Sequence, residues 1–278
     1  MIISGMHGLG DNIYQRSFVK ELPKPIWLNT SWPEIYHGIE GINFVKPVTR
    51  LRTQLKNVNR QKIKWVSQPR GPITQVSYGD IGIMAGMQRA FKVRPKTFDL
   101  PDYGPSPVSG KYVVVRPATI RSEWLAESRN PLPEYLCEAV EVIRVKGYKI
   151  VSVSDFEHRK EWPVEPLPYA DIKFHYGELS VTQLMSLVQG ATAVIGGVGW
   201  LVPAAIAYKT PAWIVCGGWG HFNAPEKLVS PIMDLSHITF VKPDNFCLCR
   251  SNNHKCDKRI ENHGSKFTEW AEKFPTLV

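Results

Sequence analysis

The chain opens "MIISGMHGLGDNIYQRSFVKELPKPIWLNTS", and the change of hydrophobic period inside that stretch constrains the fold more than any other feature. A short apolar run, "MIISGM", gives way after Gly8-Leu9-Gly10-Asp11 to Tyr14, Phe18 and Leu22 at positions i, i+4 and i+8. The first pattern is that of a buried strand, the second that of one stripe of a helix. "PIWLNTS" then reads as a second strand and "GINFVKPV" as a third. Strand, helix and strand in such quick succession are the signature of a parallel α/β layer.

The same alternation continues. "KIKWVSQP" reads as a fourth strand and "GDIGIMAGMQRAFKV" as a helix. "DLPDYGPSPVSG", Asp99 to Gly110, collects turn-forming residues and is the best linker in the chain. Beyond it a second α/β run begins with "KYVVVRPA", followed by the helix "PEYLCEAVEVIRVKG" with Gly147 as its stop. Ser180 and Gln183 have capping-box spacing at the head of "ELSVTQLMSLVQG", and Gly190 is expected to supply a left-handed exit. "TAVIGG" and "PAWIVCGG" read as buried strands flanking the helix "WLVPAAIAY", and "GSKFTEWAEKF" as a last helix. The expected fold class is α/β, with two Rossmann-like halves whose ligands sit beyond the carboxyl ends of the strands.

Composition excludes several alternatives. At 43% hydrophobic and 21% charged residues the chain has a globular balance, so disorder is not expected. No window offers the roughly 18 apolar residues of a membrane span, and the start lacks the layout of a secretory signal. A soluble, cytoplasmic protein is expected. The net charge of +9 favours a polyanionic partner. Its most unbalanced stretch, Lys46 to Arg70, carries Arg50, Arg52, Lys56, Arg60, Lys62 and Lys64 and no acid. Such a run is either a solvated face or a patch that meets an anion.

Three further features could carry chemistry. Gly196, Gly197 and Gly199 lie between a strand and a helix, where bare amides either approach a phosphate or serve close packing. Cys247, Cys249 and Cys256, with His254 among them, form a donor set suited to zinc or iron, although Cys-x-Cys is not the usual knuckle spacing; free thiols are the alternative. Trp219 and His221 follow the last buried strand and either line a ligand pocket or pack.

"GELSVTQLMSLVQGATAVIGGVGWLVPAAIAYKTPAWIVCGG" resembles the donor-binding stretch of glycosyltransferase family nine, the bacterial heptosyltransferases. "GLGDNIYQRSFVKEL" is similar to the first loop and helix of that family. The likeness is strongest over 1–20 and 177–218; elsewhere only the order of elements agrees. It implies a GT-B-like enzyme with a cleft between an acceptor-side lobe, 1–104, and a nucleotide-sugar lobe, 105–264, and a final helix, 265–278, crossing back to the first lobe. The donor implied is a nucleotide-diphosphate sugar, with no catalytic metal. A metal on the cysteines would be structural, as in the few family members that bind one on a similar stretch.

Residue by residue, Asp11 matches the family's candidate base, with a helix cap as its other reading. Gly10 lies beside it. Arg116 and Arg121 follow the first strand of the second half, where the family sets a basic residue against the diphosphate. Tyr176 and Glu178 match the loop near the nucleotide base, and Gly197, Val198 and Gly199 the phosphate cradle. Two departures stand out. Gly197-Val198-Gly199-Trp200 replaces the family's Asp-Ser-Gly-Pro, and Val202 replaces a histidine. They leave open a binding protein without chemistry, or an epimerase or hydrolase. With the basic run on the acceptor side, the acceptor expected is a phosphorylated lipid-linked saccharide or DNA with a hydroxylated base, the latter natural for a viral protein.

Overall fold

The computed structural model describes residues 1–276. Its first sheet contains β1 (Ile2–Ser4), β2 (Ile26–Asn29), β3 (Ile42–Val45) and β4 (Ile73–Gln75), in the order β3-β2-β1-β4 and all parallel. The helices α1 (Leu9–Val19), α2 (Arg52–Arg60) and α3 (Ile83–Phe91) follow β1, β3 and β4. "KIKWVSQP" forms no strand of its own; it touches the sheet through the single bridge Val45–Val66, and Ile73–Gln75 takes the fourth place. Lys62, Lys64, Ser67 and Gln68 make half of that segment charged or polar, which leaves it too little apolar surface for a buried parallel strand.

No helix or strand lies between Phe91 and Tyr112. The second sheet contains β5 (Tyr112–Arg116), β7 (Lys149–Val153), β9 (Ile172–Phe174), β10 (Ala193–Gly197), β11 (Ala212–Val215) and β12 (Ile238–Val241). They run parallel in the order β12-β11-β10-β5-β7-β9, while β6 (Thr119–Arg121) and β8 (Glu161–Pro163) form an antiparallel ribbon. Its helices are α4 (Pro133–Val145), α5 (Val181–Gln189), α6 (Leu201–Tyr208), the short α7 (Gly220–Asn223) and α8 (Pro225–Leu228), and α9 (His263–Ala271).

The period-2 rule of strands divides the core. Val114 and Val194 face a cluster that also holds Ile3, Phe18, Leu28 and Leu201, so this core runs through both sheets. Their neighbours Val113, Val115 and Ile195 face the other side, against Leu136, Trp213 and Phe267.

Two local expectations need correction. Gly190 ends α5 in the right-handed region, φ −84°; glycine is required there because a Cβ would lie 2.8 Å from the Tyr112 hydroxyl. The final helix does not cross back to the first sheet. α9 packs on α4, with Phe267 and Ala271 fully buried and the His263 ring accepting from Trp213 Nε1 at 3.2 Å. Its apolar face finds its partner on the outer side of the second sheet. The last two residues of the expected segment, 277 and 278, lie outside the described residues. The capping box of α5 forms as its spacing predicts: Gln183 N donates to Ser180 Oγ at 3.2 Å, and Ser180 N to Gln183 Oε1 at 3.0 Å. Among the described residues no helix is long and apolar enough to cross a membrane.

Candidate active site

One cavity of about 630 Å³ collects the loops that leave the carboxyl ends of β1, β4, β5, β7, β9, β10 and β11. This is where a parallel sheet presents its loops and helix N-termini to a ligand.

Asp11 enters the cavity from the first turn of α1. It is the third residue of the helix, not its cap; Gly8 holds the cap position, and Gly8 N donates to Asp11 Oδ2 at 3.2 Å. That bond fixes one carboxylate oxygen. Burial pushes the Asp11 carboxyl above the ordinary carboxylate range, and the Gly8 bond and the nearby Arg129 and His7 only partly offset it. Tyr14, one turn on, brings a buried hydroxyl with no partner to the same cavity wall.

Three arginines line the same cavity. Arg116 follows β5, Arg121 ends β6, and Arg129 stands on the turn before α4. Burial, then repulsion from Arg121, lowers Arg116 to about 10; burial, then repulsion from Arg116 and Arg121, lowers Arg129 to about 9. Arg121 is neutralised by Glu161 at 2.9 Å. Arg116 and Arg129 form no ion pair among the described residues, and Arg129 Nε is buried without a partner. The Arg129 guanidinium lies 4.4 Å from the Trp124 ring centre, which fixes its place. An uncompensated cationic group of this kind is built to receive an anion. Nothing in the sequence marks Arg129 except its position between β5 and the Pro133 start of α4, in a strand-to-helix loop.

The glycines divide by function. A Cβ on Gly197 would lie 2.9 Å from Pro131 Cδ, so this residue serves packing and is not a bare amide at the cavity. Val198 and Gly199 do line the cavity, and Gly199 has open space beside it. Gly10 lines the cavity too, against the Trp200 backbone. Glu178 reaches the wall, whereas Tyr176 is 70% exposed and outside it. Trp219 and His221 also stand outside: Trp219 Nε1 donates to Arg250 O at 2.9 Å and His221 pairs with Asp80 at 2.8 Å. Their neighbours Phe222 and Asn223 take the cavity positions instead, because α7 turns the loop after Trp219.

The basic run is not a uniform patch. Arg52, 7% exposed, donates to Glu161 at 2.6 Å and pairs with Asp155 at 2.7 Å; Lys56 pairs with Asp155 at 2.8 Å. Arg60 donates to Gly177 O at 2.6 Å. These three bind the first half of the chain to the second, Arg52 and Lys56 through acids absent from their own segment and Arg60 through a backbone carbonyl. Arg50, Lys62 and Lys64 remain exposed.

Cys247, Cys249, His254 and Cys256 bring one ligand atom each to within 4.8 Å of one another. Cys249 Sγ and Cys256 Sγ are 3.5 Å apart, Cys247 Sγ and His254 Nδ1 3.6 Å, and His254 Nδ1 and Cys256 Sγ 3.3 Å. Tetrahedral thiolate and imidazole ligands of zinc stand about 3.5–3.8 Å apart. The donor set therefore fits zinc or iron in both chemistry and spacing.

The chain has the fold of the heptosyltransferases of glycosyltransferase family nine. Among solved structures it is similar to the iron-containing dodecameric glycosyltransferase TibC from enterotoxigenic E. coli, with a TM-score of 0.61 and 15% identity over 97% of this chain and 72% of that one. TibC in complex with ADP-D-β-D-heptose gives 0.59 and 14%, over 88% of this chain and 63% of that one. E. coli ADP-heptose LPS heptosyltransferase II gives 0.53 and 10%, over 98% and 99%. The chain thus spans about two thirds of the TibC chains. No protein-family model and no curated protein matches the sequence.

Proposed function

We propose that the chain is a glycosyltransferase in which the two sheets act as the lobes of a GT-B enzyme, over 1–104 and 105–264, and the cavity acts as the cleft. It moves a sugar from a nucleotide-diphosphate sugar to a hydroxyl. The observation that carries this reading is the presence, in one cavity, of the Asp11 carboxyl and of Arg116 and Arg129, neither of which forms an ion pair among the described residues. Glycosyl transfer needs both sides. The acceptor hydroxyl must lose a proton as its oxygen bonds to the sugar carbon, and the departing diphosphate gathers negative charge. Asp11 takes that proton; Arg116, Arg129 and the backbone at Val198 and Gly199 hold the diphosphate. Glu178 lies where the nucleotide would extend.

The structural neighbours support sugar transfer from ADP-heptose, and one is named for lipopolysaccharide. A saccharide hydroxyl is therefore the acceptor we favour. Three cations assigned to a polyanion are engaged within the chain, which weakens the case for DNA. Cys247, Cys249, His254 and Cys256 would hold a zinc or iron ion that cross-links the chain. The proton transfer is assigned to protein side chains alone.

The test is release of nucleoside diphosphate from a panel of nucleotide sugars, paired with direct binding measurements. Asp11→Asn is expected to cut release about 10²–10⁴-fold and retain binding. Binding with no release by the unmodified chain would make it a binding protein, the reading that the loss of the family's aspartate and histidine at Gly197 and Val202 would favour.

A further inference from the structure

Between Pro243 and Ile260 no residue is buried and none lies in a helix or strand, and Leu248 is left 65% exposed. Apart from Phe246, which packs against the core, the segment has little apolar contact to offset the entropy of holding one shape. Yet it acts as a template. Ser128 N donates to Asn252 O at 3.2 Å, Gly220 N to Cys247 O at 2.9 Å and Trp219 Nε1 to Arg250 O at 2.9 Å. Gly218 N in turn donates to Ser128 O at 2.6 Å. Glycines make the stack possible: a Cβ on Gly217 would lie 2.3 Å from Arg129 O, and one on Gly218 would lie 2.1 Å from Cys256 Sγ. The turn that carries Arg129 is therefore held by a segment whose base is tied by the Asp244–Arg259 and Asn245–Asp257 bonds and whose tip is gathered by the Cys/His cluster.

We propose that Cys247, Cys249, His254 and Cys256, closed around one metal ion, fix this segment so that metal occupancy controls anion binding at Arg129. The inference rests on the reading of the cavity as a diphosphate site. A segment without a core is ordered by its cross-link, and metal-binding free energy becomes local folding free energy. When the four ligands separate, the carbonyls of Cys247, Arg250 and Asn252 no longer stand in register. The Ser128–Arg129 turn then loses the bonds that aim the guanidinium into the cavity.

The full chain is stripped with a chelator under reducing conditions, then reloaded with Zn(II) or Fe(II). Metal content, pyrophosphate affinity and amide exchange are read at each stage. Stripping is expected to weaken pyrophosphate binding about tenfold or more, the loss of a charge-assisted contact. It should also speed exchange at Ser128, Gly218 and Gly220 while β5 and β10 stay protected. Reloading should reverse both effects. Cys247→Ser should behave as stripped protein, and Cys247→His, which keeps a ligand on the exposed side of the cluster, as loaded protein. Unchanged exchange at the three amides, or protection lost equally from β5 and β10, overturns the proposal. Faster exchange at the three amides, with no pyrophosphate bound by the loaded chain, overturns instead the reading of the cavity on which it rests.

Discussion

Gly10 and Trp200 meet backbone to backbone: a Cβ built on Gly10 would lie 3.0 Å from the Trp200 Cα and 3.4 Å from its nitrogen. Gly10 is in the first turn of α1 and Trp200 caps α6, so the absence of one side chain lets helices from the two sheets start side by side at the cavity. Gly10→Ala is expected to destabilise the fold by about 1–3 kcal/mol, because backbone cannot give way as a side chain can. It should also weaken nucleotide binding. Urea unfolding and calorimetric titration check the two effects.

Glu161, 2% exposed, joins Arg52 at 2.6 Å and Arg121 at 2.9 Å. Glu161→Gln removes the counter-charge of two arginines at once. We expect a loss of about 3 kcal/mol, the low end for breaking a buried pair, since Asp155 still holds Arg52. The urea midpoint should fall with an unchanged slope. An unaltered midpoint would mean that the cluster contributes nothing to holding the halves together.

For Asp11 the sign of the pH effect follows from the raised carboxyl. A folded-state value above the unfolded one means that folding favours the protonated form. Its stabilising contribution is complete below the unfolded value and disappears as pH rises through the folded one. Asp11→Asn should therefore be more stable than the unmodified chain at neutral pH, and the gap should close in acid. Turnover should rise with pH through a value above the ordinary carboxylate range, and the variant should lose about 10²–10⁴-fold. Thermal melts across pH and rate–pH profiles read both.

Arg129→Ala separates binding from stability. The ligand-free protein should be as stable as before or more so, because a buried cation without an ion-pair partner is relieved. Its affinity for nucleoside diphosphate should fall roughly 10–100-fold, as expected for a charged hydrogen bond. Melting temperature and titration calorimetry give the comparison, and equal affinity would remove Arg129 from the site.

Local pattern alone determined much of this protein. The switch from the apolar run to the Tyr14–Phe18–Leu22 stripe fixed β1 and α1, and hence put Asp11 in a strand-to-helix loop. The spacing of Ser180 and Gln183 fixed the head of α5. Such features follow from side-chain periods of two and 3.6, which act within a few residues and so can be read along the chain. What only the tertiary structure decided lies at long separation. Arg52 found Glu161 109 residues away, Gly197 made room for Pro131, and α9 chose α4 over the first sheet. Burial and the crowding of Arg116 and Arg121, against the weaker pull of Tyr78 and Asp11, lower Arg129 only in the folded chain. Charge partners and desolvation depend on distance in space, and no spacing along a chain encodes that.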